Sequence, residues 1–116
     1  EEELFNLYRA ADIFAMTSIN YGKSVEAFGL VYLEASAFAL PIIAHDVGGV
    51  SEAVLHEETG FLISPGNPRA LTEAFFRLIT DKNLRMQLGQ NGFNWAKKQS
   101  WQDSAKILLN ESPPSI

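Results

Sequence analysis

The chain has 116 residues, 9 Lys and Arg against 14 Asp and Glu for a formal net charge of −5, no cysteine, and 47% apolar residues. That length is one domain at most, with enough chain to bury roughly two-thirds of its unfolded surface without a metal or a disulfide, and the composition excludes disorder, collagen and disulfide scaffolds. The acidic balance argues against a nucleic-acid partner, whose affinity comes from neutralised phosphates, and the lack of cysteine removes catalytic thiols, iron–sulfur ligation and thiolate zinc sites.

Leu4, Leu7, Tyr8 and Ala11 recur at three- and four-residue spacing and predict a short helix over residues 4–10. The pattern begins without an initial Met or a capping segment, as in an excised fragment, and Glu1-Glu2-Glu3 resembles neither a secretory signal nor a transit peptide. No apolar run approaches the roughly 20 residues that cross a bilayer, so a soluble chain is expected. Asp12 to Met16 is a compact apolar run of strand length, and Thr17 to Val25 reads as a polar loop. Phe28 to Ala39 returns to helical composition until Pro41 stops it. Ile42-Ile43-Ala44 predicts a second strand, His45 to Gly49 a turn, and Ser51 is placed to cap a helix through Leu55. Glu57 to Gly60 reads as a turn, Phe61-Leu62-Ile63 as a third strand, and Asn67-Pro68 opens a long amphipathic helix through Thr80. Two more helical stretches, over 82–98 and 101–109, precede a terminus, Ser112 to Ser115, that reads as frayed.

Short apolar strands that alternate with helices, without period-two patterning, imply a Rossmann-like α/β arrangement: a parallel sheet covered by helices on both faces. Three strands are few for this class, so further strands are expected upstream of residue 1. An open sheet edge would favour self-association, and a homo-oligomer of the chain is a corresponding expectation.

Ligands of an open parallel sheet lie beyond the carboxyl ends of its strands, which directs attention to the loops after Met16, Ala44 and Ile63. After the first comes Glu26-Ala27-Phe28-Gly29-Leu30, with a glycine at the expected helix start. The unpaired N–H groups and positive end of such a helix suit a phosphate or diphosphate. Glu34, one turn past Leu30, could accept two hydrogen bonds from a vicinal diol such as a ribose. Glu26, expected in the loop just before the helix, would project into the same cleft. The two glutamates could therefore bracket one ligand, while a glutamate near a helix start also has a purely structural reading as a charge favoured by the helix dipole.

The run SVEAFGLVYLEASAFALPIIAHDVGGVSEAVLHEETGFLISPGNPRAL resembles the donor-binding half of group 1 (family 4) glycosyltransferases of the GT-B fold. Five blocks, EAFGLVYLEASA, LPIIA, VGGVSE, ETGFL and PGNP, stand in the family's order. The resemblance implies that residues 1–116 are the C-terminal, nucleotide-sugar-binding domain, part of the C-terminal half of a GT-B enzyme. It implies that Glu26 is the catalytic-centre residue contacting hydroxyls of the donor sugar. Phe28, Gly29, Leu30 and Val31 would offer backbone amides to the sugar and diphosphate, and Glu34 would hold the ribose. The implied reaction is retaining transfer of a hexosyl group from a UDP- or GDP-linked sugar to an acceptor hydroxyl. The implied setting is glycan, lipopolysaccharide or capsule assembly by a cytoplasmic enzyme, peripheral at the inner membrane face. No metal and no cofactor are implied. The acceptor-binding N-terminal domain and a phosphate-binding Arg/Lys pair would lie outside this chain, which alone would bind donor weakly and catalyse nothing.

Ala27 replaces a second glycine of the pattern, and the loop Ser18 to Val25 is long, its Lys23 either reaching donor phosphate or standing solvated. Phe38 and Ala39 occupy positions where Met/Ala-Cys/Ser-Gly is frequent, a matter of helix-end packing. His45 and His56 lack metal-ligand spacing and read as surface or turn residues. Gly48-Gly49 with Glu52 reads either as a turn into a helix or as amides lining the donor cleft. Phe93, Trp95 and Trp101 read as packing of the terminal helices rather than an acceptor platform. The competing class is a non-catalytic nucleotide-binding or assembly module; a dehydrogenase is disfavoured because no G-x-G-x-x-G follows a strand.

Overall fold

The computed structural model describes the backbone of residues 2–17 and 25–110, and the side chains within those ranges except at 25–29 and 100–110. Helix α1 (Glu2–Ala10) opens with Glu2 and Glu3, acidic residues that favour the positive helix end, and closes with Arg9. It leads into strand β1 (Phe14–Met16), helix α2 (Val25–Ser36), strand β2 (Ile42–His45), a 3-10 turn (Val50–Glu52), strand β3 (Gly60–Ile63), and helices α3 (Pro68–Thr80) and α4 (Lys82–Asn110).

The strands form one parallel sheet in the order β1-β2-β3. Met16 lies level with Ala44, and Ala44 with Leu62. Side chains alternate across the sheet as the two-residue period requires. Ile42 and Ala44 join Tyr8, Tyr32, Ala35, Val50 and Val54 on one face, with Phe14 and Met16 packed against them. Ile43, Phe61 and Ile63 meet Ala74, Leu78 and Leu88 on the other. The expected α/β layering, with helices on both faces of a parallel sheet, is therefore present. Among the described residues β1 pairs with β2 alone, and Ala15, on the face that α3 and α4 cover further along the sheet, is exposed.

Four local expectations differ from the structure. α2 begins at Val25 rather than Phe28, because Val25-Glu26-Ala27 contains no residue that opposes a helix and Glu26 suits its first turn. It ends at Ser36, before Pro41 is reached. The Ala39 N–H donates to the Ser36 carbonyl at 2.8 Å and the Leu40 N–H to the Ala35 carbonyl at 3.4 Å, with Ala39 at φ 61°. This is the paired closure of a left-handed helix cap, here on an alanine. Ser51 caps nothing: it lies inside the 3-10 turn, whose cap residue Gly49 makes no side-chain bond. Finally, the two expected terminal helices are one, because neither proline nor an exposed glycine interrupts residues 82–110.

The start of α3 matches its sequence signal. Asn67 Oδ1 accepts the Ala70 N–H at 3.1 Å and Pro68 occupies the first turn. At the α3–α4 corner, Asp81 accepts the Leu84 N–H at 3.0 Å while the Arg85 guanidinium donates to the carbonyls of Leu78 and Ile79 at 2.7 and 3.0 Å. One arginine thus satisfies helix-end acceptors that would otherwise lack partners.

Candidate functional site

The carboxyl ends of the strands, at Met16, His45 and Ile63, define one edge of the sheet, and α2 runs away from that edge. Tyr32 ties the helix to it by donating its hydroxyl to the Met16 carbonyl at 3.2 Å. Glu26 therefore sits in the first turn of α2 and Glu34 near its last. Eight residues of helix separate them by about 12 Å along the axis.

The side chains of Glu26, Phe28 and Gly29 lie outside the described residues, as do Lys23 and the rest of the loop 18–24. Leu30 is exposed, Val31 is half-buried and Glu34 is exposed. With the helix starting at Val25, its unpaired amides belong to that first turn, whereas the N–H groups of Leu30 and Val31 enter the helical ladder.

Glu34 has a partner among the described residues. Its Oε1 accepts the Tyr8 hydroxyl at 3.0 Å. Tyr8 is buried, and its hydroxyl is pushed up to about 12, first by burial and then by the hydrogen bond and charge of Glu34. The Tyr8 ring stacks on Phe38 at 5.0 Å and lies 6.1 Å from Phe14. Helical spacing marks Tyr8 only as an apolar member of α1; the signal in the sequence is that a buried tyrosine's hydroxyl needs a partner.

Several of the other candidates have partners within the fold. His56 accepts the Leu62 N–H through Nδ1 at 3.0 Å and so satisfies a backbone donor of strand β3. His45 closes β2 and is half-buried. Trp95 donates its indole N–H to the Ala53 carbonyl at 3.0 Å, clamping α4 on the 3-10 turn, and Lys97 lies over the Phe93 ring at 5.6 Å. The Trp101 side chain is outside the described residues. Gly48 has φ 51° and turns the chain between His45 and Val50, with Glu52 exposed. A depression of about 200 Å³ lined by Tyr8, Arg9, Asp12, Phe38, Pro41 and Arg85 lies toward the amino ends of the strands. Among the described residues no three His, Asp or Glu side chains converge as metal ligands, and no helix is long and apolar enough to cross a membrane.

Comparison with known proteins identifies the family and the fold. The family model of glycosyl transferases group 1 matches residues 1–95. The chain is 40% identical, over 98% of its length, to a D-inositol 3-phosphate glycosyltransferase of Corynebacterium jeikeium, of which it covers 27%. Its fold superposes with a TM-score of 0.74 and 31% identity on the C-terminal domain of the group 1 glycosyl transferase LpcC of Francisella tularensis, covering 86% of this chain and 49% of that one. A sucrose-phosphate synthase of Thermosynechococcus elongatus gives a TM-score of 0.69 at 32% identity, covering 93% of this chain and 28% of the other. The chain spans about a quarter of the length of the curated relatives it matches. The family match over residues 1–95, on a parallel α/β sheet of GT-B type, makes this chain a member of the group 1 glycosyltransferases.

Proposed function

We propose that this chain is the donor-binding, C-terminal domain of a longer retaining glycosyltransferase that moves a hexosyl group from a UDP- or GDP-linked sugar to an acceptor hydroxyl. The observation that carries the reading is the placement of EAFGLVYLEASA. It forms the helix that follows the first parallel strand, leaves from the strands' carboxyl edge, and holds Glu34 exposed on its flank. Among the described residues one edge of β1 has no strand partner and Ala15 beside it is exposed, which supports a sheet that continues in a longer protein.

In this reading the diphosphate lies against the start of α2, where amides and the positive helix end offset the charge that develops as the sugar–phosphate bond breaks. That stabilisation needs no metal. Glu26 contacts the hydroxyls of the donor sugar, and Glu34 accepts both ribose hydroxyls. Presenting the amides of Phe28, Gly29, Leu30 and Val31 requires α2 to begin one turn later than in this structure, and Gly29, a weak helix former, lowers the cost of that change. Closure of the acceptor domain over the site excludes water, so that transfer outruns hydrolysis. The acceptor lies on that other domain. An inositol phosphate, named for the Corynebacterium relative, and the hydroxyls of a glycan, lipopolysaccharide or capsule precursor are the acceptor classes to assay at the cytoplasmic membrane face.

In the full-length enzyme, Glu26→Ala lowers turnover by roughly two to three orders of magnitude, the scale on which loss of a transition-state contact is felt. Glu34→Ala weakens nucleotide binding roughly ten- to a hundredfold, as loss of charge-assisted hydrogen bonds does. Near-normal turnover in the first variant removes Glu26 from the reaction centre, and an unchanged donor Kd in the second removes Glu34 from the ribose. Preserved fold with no transfer to any acceptor class and no nucleotide binding favours the non-catalytic module instead.

A further inference from the structure

Glu34 is exposed, on a helix flank where a glutamate ordinarily samples several rotamers. Here its direction is set by Tyr8, which comes from α1 and lies 26 residues away in the chain. The Tyr8 ring is fixed by Phe38 at 5.0 Å and Phe14 at 6.1 Å, and the residue is 7% exposed. A ring held in this way leaves its hydroxyl little freedom, and that hydroxyl donates to Glu34 Oε1 at 3.0 Å. The donor role is secure over the physiological range because burial and the adjacent carboxylate both oppose ionisation of the phenol.

An ionised carboxylate offers about four lone-pair positions. Among the described residues Tyr8 occupies one on Oε1, leaving the second position of Oε1 and both of Oε2, enough for the two hydroxyls of a vicinal diol. We propose that Tyr8 is a positioning residue: through its hydrogen bond it holds the Glu34 carboxylate turned so that the two ribose hydroxyls of a nucleotide donor meet it without further ordering. The inference rests on the ribose reading of Glu34 given above. Ordering a rotamer-rich glutamate at the moment of binding would otherwise lower affinity, and the aromatic cluster of α1 meets that cost during folding.

The test compares wild type, Tyr8→Phe and Glu34→Gln in the full-length enzyme. Tyr8→Phe keeps the ring and its contacts and removes only the hydroxyl. Calorimetric titration with UDP, GDP and ADP identifies the tightest nucleotide, and each protein is then titrated with that nucleotide and its 2′,3′-dideoxy analogue. Tyr8→Phe is expected to weaken binding of the ribonucleotide roughly three- to tenfold, the scale of re-ordering one long side chain, and to leave the dideoxy analogue unchanged. The donor KM rises by the same factor, with kcat within about twofold. Equal loss for both nucleotides, as a merely structural role would give, or no loss for either, overturns the proposal. If Glu34→Gln leaves the preference for the ribonucleotide intact, it is the ribose reading of Glu34 that fails, and Tyr8 falls with it.

Discussion

Helix α4 crosses the turn that ends α2 at Gly89, and the crossing is too close for any side chain. A β-carbon at position 89 would lie 2.2 Å from the carbonyl oxygen of Ala39 and 3.0 Å from its carbonyl carbon. Both are backbone atoms of a turn tied down by the Ala39-to-Ser36 and Leu40-to-Ala35 hydrogen bonds. Carbon–oxygen contacts settle at about 3.3 Å or more, so Gly89→Ala requires a separation of about 1 Å between helix and turn. Gly92, one turn further along α4, provides the control: its β-carbon would sit 3.4 Å from Cβ and Oγ of Ser36, which demands a shift of only tenths of an ångström. Helix propensity favours alanine over glycine by about 1 kcal/mol at both sites. Overpacking against fixed backbone costs about 3 kcal/mol at position 89 and little at position 92. Gly89→Ala is therefore expected to destabilise the fold by about 2 kcal/mol, and Gly92→Ala to leave it unchanged or stabilise it by up to about 1 kcal/mol. For a chain of this size that difference separates the melting temperatures by about 10 °C or more. Urea unfolding followed by circular dichroism measures both variants. Stabilities equal within about 0.5 kcal/mol would refute the close crossing, and with it the account of how α4 fixes the end of α2 that carries Glu34.

Further outcomes follow from the same contacts. Ala39→Gly relieves a left-handed alanine at φ 61° and is expected to stabilise the fold by about 0.5–1 kcal/mol in the same unfolding assay, after allowance for the added freedom of glycine in the unfolded chain. Asn67→Ala removes the cap that accepts the Ala70 N–H and should cost about 1 kcal/mol. Tyr8 keeps its proton to about pH 12, whereas a tyrosine in the unfolded chain ionises near 10. The folded chain thus retains a proton that the unfolded chain releases. Its contribution is complete below pH 10 and declines as the pH rises to 12, by less than the shift alone implies because the hydroxyl lies beside an exposed carboxylate. Tyr32, also raised by burial, adds a decline of the same sign above pH 10. Tyr8→Phe should therefore flatten this decline without abolishing it, as read by unfolding at pH 9 and pH 11.5.

Element order and type were legible because each strand is a short apolar run and each turn carries its own chemistry. Asn67-Pro68 located the start of α3, and Ile42-Ile43 a strand buried on both faces. What escaped is what neighbours in space decide. The fusion of 82–98 with 101–109 into α4 depends on no local stop, and two buried glycines inside it are tolerated because Ala39 and Ser36 approach them. The end of α2 at Ser36 was hidden because alanine stands where a left-handed cap would favour glycine, leaving Pro41 as the visible stop. At the site, Glu34 stood out through its spacing from Glu26. Its partner Tyr8 did not, since a contact across 26 residues leaves no local pattern and a tyrosine in a helical stripe reads as apolar. Trp95 was read correctly as packing, but its Ala53 carbonyl partner, 42 residues away, was equally beyond local reach.

The proposed seat of the nucleotide sugar, the start and flank of α2, is tested most directly by hydrogen–deuterium exchange of the full-length enzyme with and without UDP, GDP, ADP and UDP-glucose. One nucleotide is expected to protect the peptides spanning residues 25–36, with α3, residues 68–80, unaffected as an internal reference. Unchanged exchange across 25–36 with every nucleotide, in a protein whose activity or binding shows the ligand is bound, would contradict the claim and place the donor elsewhere.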